Sequence, residues 1–465
     1  MTLVIDRPLR WVCYGFSVVV IGYGLGLGRL AGRYDFLNSY PFLTADGFDW
    51  YYEGLVLSER ILGHCTPPLW VLRDPVFVVV CALDAALRAN GLVVITAQTF
   101  AFFLTGAVLI QAARFYAAGF AFAAAIVTIM LLQPLNYVRL FVLADPLAVA
   151  FLTISSYAML HYLRTPSLAT LTVSGVFGLL GGMTQTYGAI PFLIGTAVCG
   201  VANARSSNRK SGFLGATVAL VAFAACLATF KVAWRTAISH ELEPTTFGFL
   251  NVSFGMARFY AHVWSLVYIP LLPLGVSALC SWFWTGRRFA REVLFLGITC
   301  IAFAVLSFFY QFGEARFTFI YQPIVLMLLI ALASPDTQAA APRLRRQWDL
   351  PSAASVCSAV CVAMSLAVAP LTYYGEPRIV RPRSSLAVQL WFTRPVDRFG
   401  LDSLGSPGNY GNARLVDVGP YAMLRPYPTQ TLSSYLALRR AQQERLTGPA
   451  SGGVNQSGGL VACAE

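Results

Sequence analysis

The chain has 465 residues, of which 57% are hydrophobic and only 12% are charged, and its mean hydropathy is +0.64. Soluble domains carry about 25% charged residues, so this composition excludes a soluble domain and indicates a protein that crosses the membrane several times. The net charge of +12 does not indicate nucleic-acid binding, because the basic residues stand singly or in threes between apolar runs.

The apolar runs predict an all-α transmembrane bundle, since about 20 apolar residues span a bilayer as a helix. On that length the sequence predicts about eleven spans. They run near 11–30, 92–113, 118–134, 143–163, 168–184, 187–203, 213–231, 261–283, 293–311, 317–334 and 352–370. The first run lacks a small-residue cleavage site and is expected to remain as a signal anchor. Val76–Leu83 is too short to span and is expected to be re-entrant or interfacial.

Arginine and lysine in the short connections place the N-terminus inside, because cytoplasmic loops collect these residues. Three large segments are then extracytoplasmic: about 31–91, about 232–260 and the tail from Leu371. We expect a transmembrane domain over 1–371, an extracytoplasmic tail segment over 372–446 and a disordered Gly/Ser-rich end over 447–465. Most of the acidic residues then fall on the outer face, and the catalytic site is expected there.

The first outer loop contains an unusual group of acids. Asp46, Asp49 and Glu53 stand three and four residues apart, which puts them on one face of a helix, and Trp50 and Tyr51 interleave aromatic rings as at a membrane interface. A structural alternative is equally open: Asp46 is an N-cap and Asp49 the third helical residue, both serving the helix dipole.

Four further outer-face sites are candidates for substrate binding. They are Arg73 with Asp74 and Pro75, Asp145 at the mouth of a span, Gln185 and Tyr187 in a turn between two spans, and Glu314 with Arg316 before the tenth span. Arg316 could instead be a snorkelling anchor, and Asp145 followed by Pro146 could be a helix cap. His240, Glu241 and Glu243 are better explained as a solvated loop than as a metal site.

The order of these features resembles the GT-C superfamily of integral-membrane glycosyltransferases, which use polyprenyl-phosphate-linked sugars. The resemblance covers roughly residues 10–335 and lies in order and spacing: an outer loop with paired acids and aromatics, an Arg-x-Pro step, a span opening with an acid, a polar turn and an acid-x-Arg-aromatic step.

The resemblance implies a role for several residues. The catalytic base of the family falls on Asp49 or Asp46, with Asp49 preferred, and its phosphate-binding arginine falls on Arg316. Glu53, Arg73, Asp145, Gln185, Tyr187 and Glu314 would contribute to substrate binding. Some relatives bind a divalent cation (Mg²⁺ or Mn²⁺), which Asp46, Asp49 and Asp145 could hold; the sequence does not decide this.

The expected protein is thus a multi-pass enzyme of the bacterial inner (cytoplasmic) membrane that transfers a sugar to a glycan, lipid or protein acceptor on the outer side, with inversion. The alternative is a transporter or flippase of a lipid-linked or amphipathic solute, whose rim acids only guide entry; a non-catalytic scaffold is a third. Near-absence of mid-membrane charge favours chemistry at the interface over ion-coupled transport.

Overall fold

The computed structural model describes residues 14–15, 17–18, 22, 45–63, 73–89, 91–116, 125–126, 143–204, 209–238, 268–273, 275–276, 279–280, 291–309, 320–333 and 359–364. Within these ranges the chain is helical, with turns and no strand. This confirms the all-α prediction for the described part of the chain. The predicted tail, 372–446, and the predicted disordered end, 447–465, lie outside the described residues, as does the cluster at 240–243.

The first outer loop contains a helical hairpin. Helix α1 (Ala45–Ile61) packs against α2 (Pro75–Ala86), which begins with a proline at its first position, where the missing N–H costs nothing. A Cβ on Gly54 would lie 2.7 Å from the main-chain nitrogen of Ala82, so glycine permits the close crossing. Trp50 meets Phe77 edge-on, with ring centroids 5.4 Å apart. The hairpin therefore packs around an apolar cluster that also includes Val94 and Ala144, and Trp50 and Tyr51 are buried in this cluster instead of facing a membrane interface.

The bundle proper follows α2. Among the described residues its helices are α3 (Leu92–Phe115), α4 (Asp145–Arg164), α5 (Leu168–Thr184), α6 (Ile190–Ala204), α7 (Arg209–Ile238), α8 (Arg291–Phe309) and α9 (Gln322–Ala333). A 3₁₀ turn, Thr186–Ala189, joins α5 to α6. Three of these helices are long and apolar enough to cross a membrane: α3, α4 and the Phe213–Trp234 part of α7. α2 has 12 residues, in agreement with its predicted short length.

Small residues bring α4 and α5 together. Ser155 and Ser174 exchange hydrogen bonds between each hydroxyl and the other residue's main-chain carbonyl, both at 2.9 Å. A Cβ on Gly178 would lie 2.9 Å from the Cβ of Phe192 on α6. Small and hydroxyl-bearing residues allow helices to approach closely where apolar solvent provides no hydrophobic drive. The three helices therefore form a tight unit in the middle of the bundle.

The ends of the helices sort into two groups. At one end Arg164, the last residue of α4, donates to the carbonyl of Phe115 at 3.3 Å and lies 3.7 Å from Glu292 at the start of α8. At the other end the starts of α2 and α4 meet the α5–α6 turn and the end of α7. This grouping agrees with the predicted alternation of the chain; the orientation in the membrane stays a prediction.

Helix α7 lies on the outside of the bundle. It has 30 residues, which corresponds to about 45 Å, whereas the hydrocarbon core of a bilayer is about 30 Å thick. Large apolar side chains along it are exposed, among them Phe213, Val218, Val221 and Phe230. Its packing partners are α6 and α5. Exposed apolar side chains therefore occur along much of its described length, while the contacts of Lys231 and Trp234 to other elements lie near its C-terminal end.

The predicted eleven spans are only partly covered by described residues. Helices occur at the predicted positions of 92–113, 143–163, 168–184, 213–231 and 293–311, with ends shifted by a few residues. The span predicted at 187–203 begins as the 3₁₀ turn before becoming α6, and α9 begins at Gln322. The spans predicted at 11–30, 118–134, 261–283 and 352–370 lie largely outside the described residues.

Candidate functional site

Glu53 and Arg73, both predicted to bind substrate, are in contact: the side chain of Glu53 binds the main chain of Arg73. Both carboxylate oxygens of Glu53 accept from the amide N–H of Arg73, at 3.0 and 2.9 Å, and Glu53 is only 2% exposed. The Arg73 guanidinium lies over the Trp50 ring, 5.5 Å from its centroid. A buried carboxylate bonded to an N–H is a charge-assisted contact, stronger than a neutral one. Glu53 thus fixes the backbone that carries Arg73.

Helix α7 also contacts Arg73 and Asp74, the two residues that precede α2. The indole N–H of Trp234 donates to the carbonyl of Arg73 at 3.0 Å. The ammonium of Lys231 lies 2.8 Å from a carboxylate oxygen of Asp74 and donates to the Thr186 hydroxyl at 2.6 Å. Lys231 and Trp234 share a face because they are three residues apart on a helix. The last turns of α7 therefore connect the first outer loop to the α5–α6 turn.

Asp145 is bonded to Tyr187. It is buried, and its Oδ1 accepts from the Tyr187 hydroxyl at 2.6 Å, the length of a charge-assisted O–H···O contact. The structural alternative made Asp145 the cap of this helix. The N-cap of α4 is instead Ala144, and Asp145 is the first helical residue. Its contact to Tyr187 ties the start of α4 to the α5–α6 turn. Two residues that the sequence selected separately are thus adjacent.

The α5–α6 turn is tight enough to require glycine. A Cβ on Gly181 would lie 2.9 Å from the carbonyl oxygen of Gly188. Gln185 adopts an extended backbone after α5; its N–H donates to Gly181 and its carbonyl accepts from Gly188, both at 2.8 Å. Gln185 is half-buried, and its main chain shapes the turn that presents Thr186 and Tyr187.

These contacts form one continuous set, which we call the rim network. It runs from Glu53 through Arg73 and Asp74 to Lys231, and from Lys231 through the α5–α6 turn to Asp145. Its members are Glu53, Arg73, Asp74, Asp145, Thr186, Tyr187, Lys231 and Trp234. It joins five elements at one end of the bundle and contains three carboxylates and two cations.

A fourth carboxylate, Asp84, lies beneath the hairpin. It is fully buried, accepts from the Tyr51 hydroxyl at 2.9 Å, and accepts from the N–H groups of Gly91 and Val93 at 2.7 and 2.8 Å. It therefore caps the start of α3 while holding α1. Burial, and then the nearby Asp84 and Glu53 carboxylates, raise the pKa of the Cys81 thiol. That thiol is therefore a packing group and not a nucleophile.

The predicted base is only partly placed. Asp46 and Asp49 lie in α1, so their helical spacing is confirmed, and Asp46 is inside the helix and not at its N-cap. The positions of their side chains lie outside what the structure describes. Asp49 precedes Glu53 by four residues, which is one turn along the same helix face. Glu314 and Arg316 fall in the undescribed stretch before α9.

The described residues do not make up a metal site. Among them no three potential ligands from His, Cys, Asp and Glu come together. Glu53 uses both oxygens on the Arg73 amide, and Asp145 is bonded to a hydroxyl donor. The three acids proposed to hold a divalent cation include Asp46 and Asp49, whose side chains are not described.

An aromatic stack leads from the rim network into the bundle. Tyr187 meets Phe303 edge-on, Phe303 stacks on Tyr321 and Tyr321 stacks on Tyr268, with centroid separations of 6.3, 5.9 and 5.9 Å. Beside this stack Gln322 is buried, and its amide has no hydrogen-bond partner among the described residues. The stack gives Tyr187 a fixed ring orientation from which its hydroxyl reaches Asp145.

Sequence reasoning missed Lys231, Trp234 and Asp84. Lys231 is the last residue of the span predicted at 213–231, Trp234 lies in the outer segment predicted at about 232–260, and neither belongs to a local motif. One signal was available: two of the 33 basic residues are lysines, Lys210 and Lys231, and all others are arginines. Asp84 stands alone after an apolar run, and its described donors come from α1, from Gly91 before α3 and from the first turn of α3, so no local pattern marks it.

The chain resembles a solved membrane-protein structure at low sequence identity. The crystal structure of ArnT from Cupriavidus metallidurans bound to undecaprenyl phosphate aligns with a TM-score of 0.49 and 15% identity, covering 93% of this chain and 79% of that one. A likeness at that level supports no argument about fold or function. No protein-family model and no curated protein matches the chain.

Proposed function

We propose that the protein is a membrane glycosyltransferase that moves a sugar from a polyprenyl-phosphate-linked donor to an acceptor hydroxyl on the extracytoplasmic side. The observation that carries this proposal is the rim network. Residues from the first outer loop, the start of α4, the α5–α6 turn and the end of α7 converge at one end of the bundle. The first outer loop, the start of α4 and the α5–α6 turn hold residues that the GT-C resemblance implies for substrate binding; the end of α7 is an addition from the structure.

The reaction needs a base, and Asp49 is our candidate. Its carboxylate would remove the proton from the acceptor hydroxyl as the hydroxyl oxygen attacks the anomeric carbon. The bond from that carbon to the phosphate oxygen breaks, and the lipid phosphate leaves with the electron pair. A single displacement of this kind inverts the anomeric centre. Asp46, one turn earlier on α1, would assist Asp49.

The leaving phosphate needs positive charge. Arg316 is the proposed clamp, and Arg73 is a second cation whose backbone is fixed by Glu53 and Trp234. Preorganised donors in a partly dehydrated site stabilise developing charge without reorganising during the reaction. Asp145, Gln185, Tyr187 and Glu314 would then bind the sugar or its acceptor through hydrogen bonds.

The test is transfer by the full-length protein in proteoliposomes. Radiolabelled hexosyl and pentosyl polyprenyl phosphates serve as donors, and extracted envelope membranes serve as the acceptor source. We expect labelled product and free polyprenyl phosphate from the wild type. Asp49→Asn should lower the rate about 100- to 10,000-fold, the usual contribution of a general base. Glu59→Gln, at the other end of α1, is the matched control.

Two results would count against the proposal. Full activity of a folded Asp49→Asn variant would remove Asp49 from its role. Movement of labelled donor across sealed vesicles with no new glycosidic bond would establish the transporter alternative instead.

A further inference from the structure

Lys231 occupies the junction of the rim network. On one side are Glu53, Arg73 and Asp74, which belong to the first outer loop; on the other are Thr186, Tyr187 and Asp145. Its ammonium contacts Asp74 at 2.8 Å and Thr186 at 2.6 Å, and so bridges the two groups. Both halves contain a residue predicted to bind substrate.

A lysine suits this junction better than an arginine. An ammonium is a compact charge with three rotatable donors, whereas a guanidinium is a planar fork made for bidentate contacts. A carboxylate and a hydroxyl from different segments lie within 2.8 Å of one nitrogen. The chain has only two lysines, Lys210 and Lys231, and all its other Lys/Arg residues are arginines. A lysine at this position is therefore unusual for this chain.

The ion pair is shielded enough to hold its geometry. The side chains of Lys231 and Asp74 are 18% and 21% exposed, well below the exposure of a surface pair. Trp234, one turn further on, adds a second contact from the same helix face to the Arg73 carbonyl. Two contacts from one helix to consecutive residues restrict both translation and rotation of the Arg73–Asp74 step.

We propose that Lys231 is a positioning residue, which sets the separation between the Arg73 side and the Asp145 side of the candidate active site. The proposal rests on the proposed function, since it states what Lys231 does for that reaction. It acts through Asp74 and Thr186 and does not touch the reacting atoms.

The first measurement is transfer kinetics in proteoliposomes with the labelled polyprenyl-phosphate sugars. Lys231→Met keeps an unbranched side chain as far as Cε and removes the charged ammonium group. We expect kcat to fall about 10- to 100-fold, the effect of a misplacement near 1 Å, while the donor KM changes less than about twofold. Lys231→Arg should recover part of the loss. The kcat of the double variant Asp74→Asn with Lys231→Met should be no lower than that of Lys231→Met alone. The reason is that both substitutions remove the same contact, the one between Lys231 and Asp74.

Lys210→Met is the matched control, since it removes the other lysine from the same helix, about 31 Å away along its axis. Its kcat should stay within about twofold of the wild type. A kcat for Lys231→Met equal to that of Lys210→Met would overturn the proposal, as would additive losses in the double variant.

The second measurement does not depend on activity. Hydrogen–deuterium exchange of the purified full chain should be faster in Lys231→Met than in Lys210→Met for peptides covering 73–80 and 184–190. Unchanged exchange in both peptides would show that the bridge does not hold them and would overturn the proposal. If the wild type transfers no sugar, the proposed function fails, while faster exchange in both peptides would still support the bridging role of Lys231.

Discussion

The hydroxyl of Tyr187 donates to the carboxylate of Asp145 across 2.6 Å, although the two residues are 42 positions apart in the chain. The contact joins the first residue of α4 to the turn between α5 and α6. It belongs to the rim network, and the Tyr187 ring also packs against Phe303, which stacks on Tyr321. Loss of either partner should therefore affect both the stability and the candidate site.

Tyr187→Phe removes the donor and leaves the ring. Asp145 is buried and would lose a short hydrogen bond, so we expect a cost of about 1–3 kcal/mol in the free energy of unfolding. The melting temperature in detergent is the measurement. Tyr14→Phe, at a side chain that is 60% exposed, is the control and should melt close to the wild type. Equal melting of the two variants would mean that the contact contributes nothing.

Asp84 should be more sensitive to alanine than to asparagine. Asp84→Ala leaves the Tyr51 hydroxyl and the N–H groups of Gly91 and Val93 without their acceptor, at about 1–3 kcal/mol for each buried donor. Asp84→Asn retains one acceptor oxygen and should cost less. Thermal unfolding of both variants, with Tyr51→Phe as the single-contact comparison, gives the order. Equal losses for alanine and asparagine would contradict the capping role.

Gly54→Ala tests the α1–α2 crossing. The added methyl would lie 2.7 Å from main-chain atoms of α2, which cannot move without shifting the helix, so we expect about 1–3 kcal/mol of overpacking cost. Gly297→Ala on α8 meets nothing within 4 Å and should be neutral or slightly stabilising. Melting temperatures compare the two. A Gly54→Ala variant as stable as Gly297→Ala would show that the helices are further apart.

The opposite end of the bundle provides a contrast. Arg164 and Glu292 are 3.7 Å apart, and the Arg164 side chain is 43% exposed. Solvent weakens such a pair, so Glu292→Gln should change the free energy of unfolding by about 0–1 kcal/mol, and less at high salt. Melting at low and high salt measures this. A loss as large as that of Asp84→Ala would indicate that the pair is better shielded than its exposure suggests.

The helices were the predictable part of the fold, because their signal is local. An apolar run of spanning length marks α3, α4 and α7, and Asp145 followed by Pro146 marks the start of α4. Alternation of the chain across the membrane placed Asp145, Tyr187 and the Arg73–Asp74 step at one end, where the structure has them. Their meeting in one network follows from helix packing, which the sequence pattern does not express.

The partners within the site were less predictable, because they involve the main chain or a distant helix. Glu53 bonds to the amide of Arg73, and an amide leaves no mark in the sequence. Lys231 meets Asp74, although the two are far apart in the chain. Of the two alternatives for Asp46, the N-cap does not match the helix bounds, because α1 already begins at Ala45; a cap depends on where a helix begins, which residue type alone does not determine.

The length of α7 links the candidate site to the surrounding lipid. A helix of 30 residues, about 45 Å long, exceeds the hydrocarbon thickness, and its exposed Phe213, Val218 and Val221 form an apolar surface suited to contact with acyl chains. A helix that is longer than the hydrocarbon thickness tilts more strongly from the membrane normal in a thinner bilayer. Its far end is tied to Asp74 and Arg73, so a change of tilt would pull on those contacts. We expect acyl-chain length to influence turnover through this helix, without any specific lipid being bound.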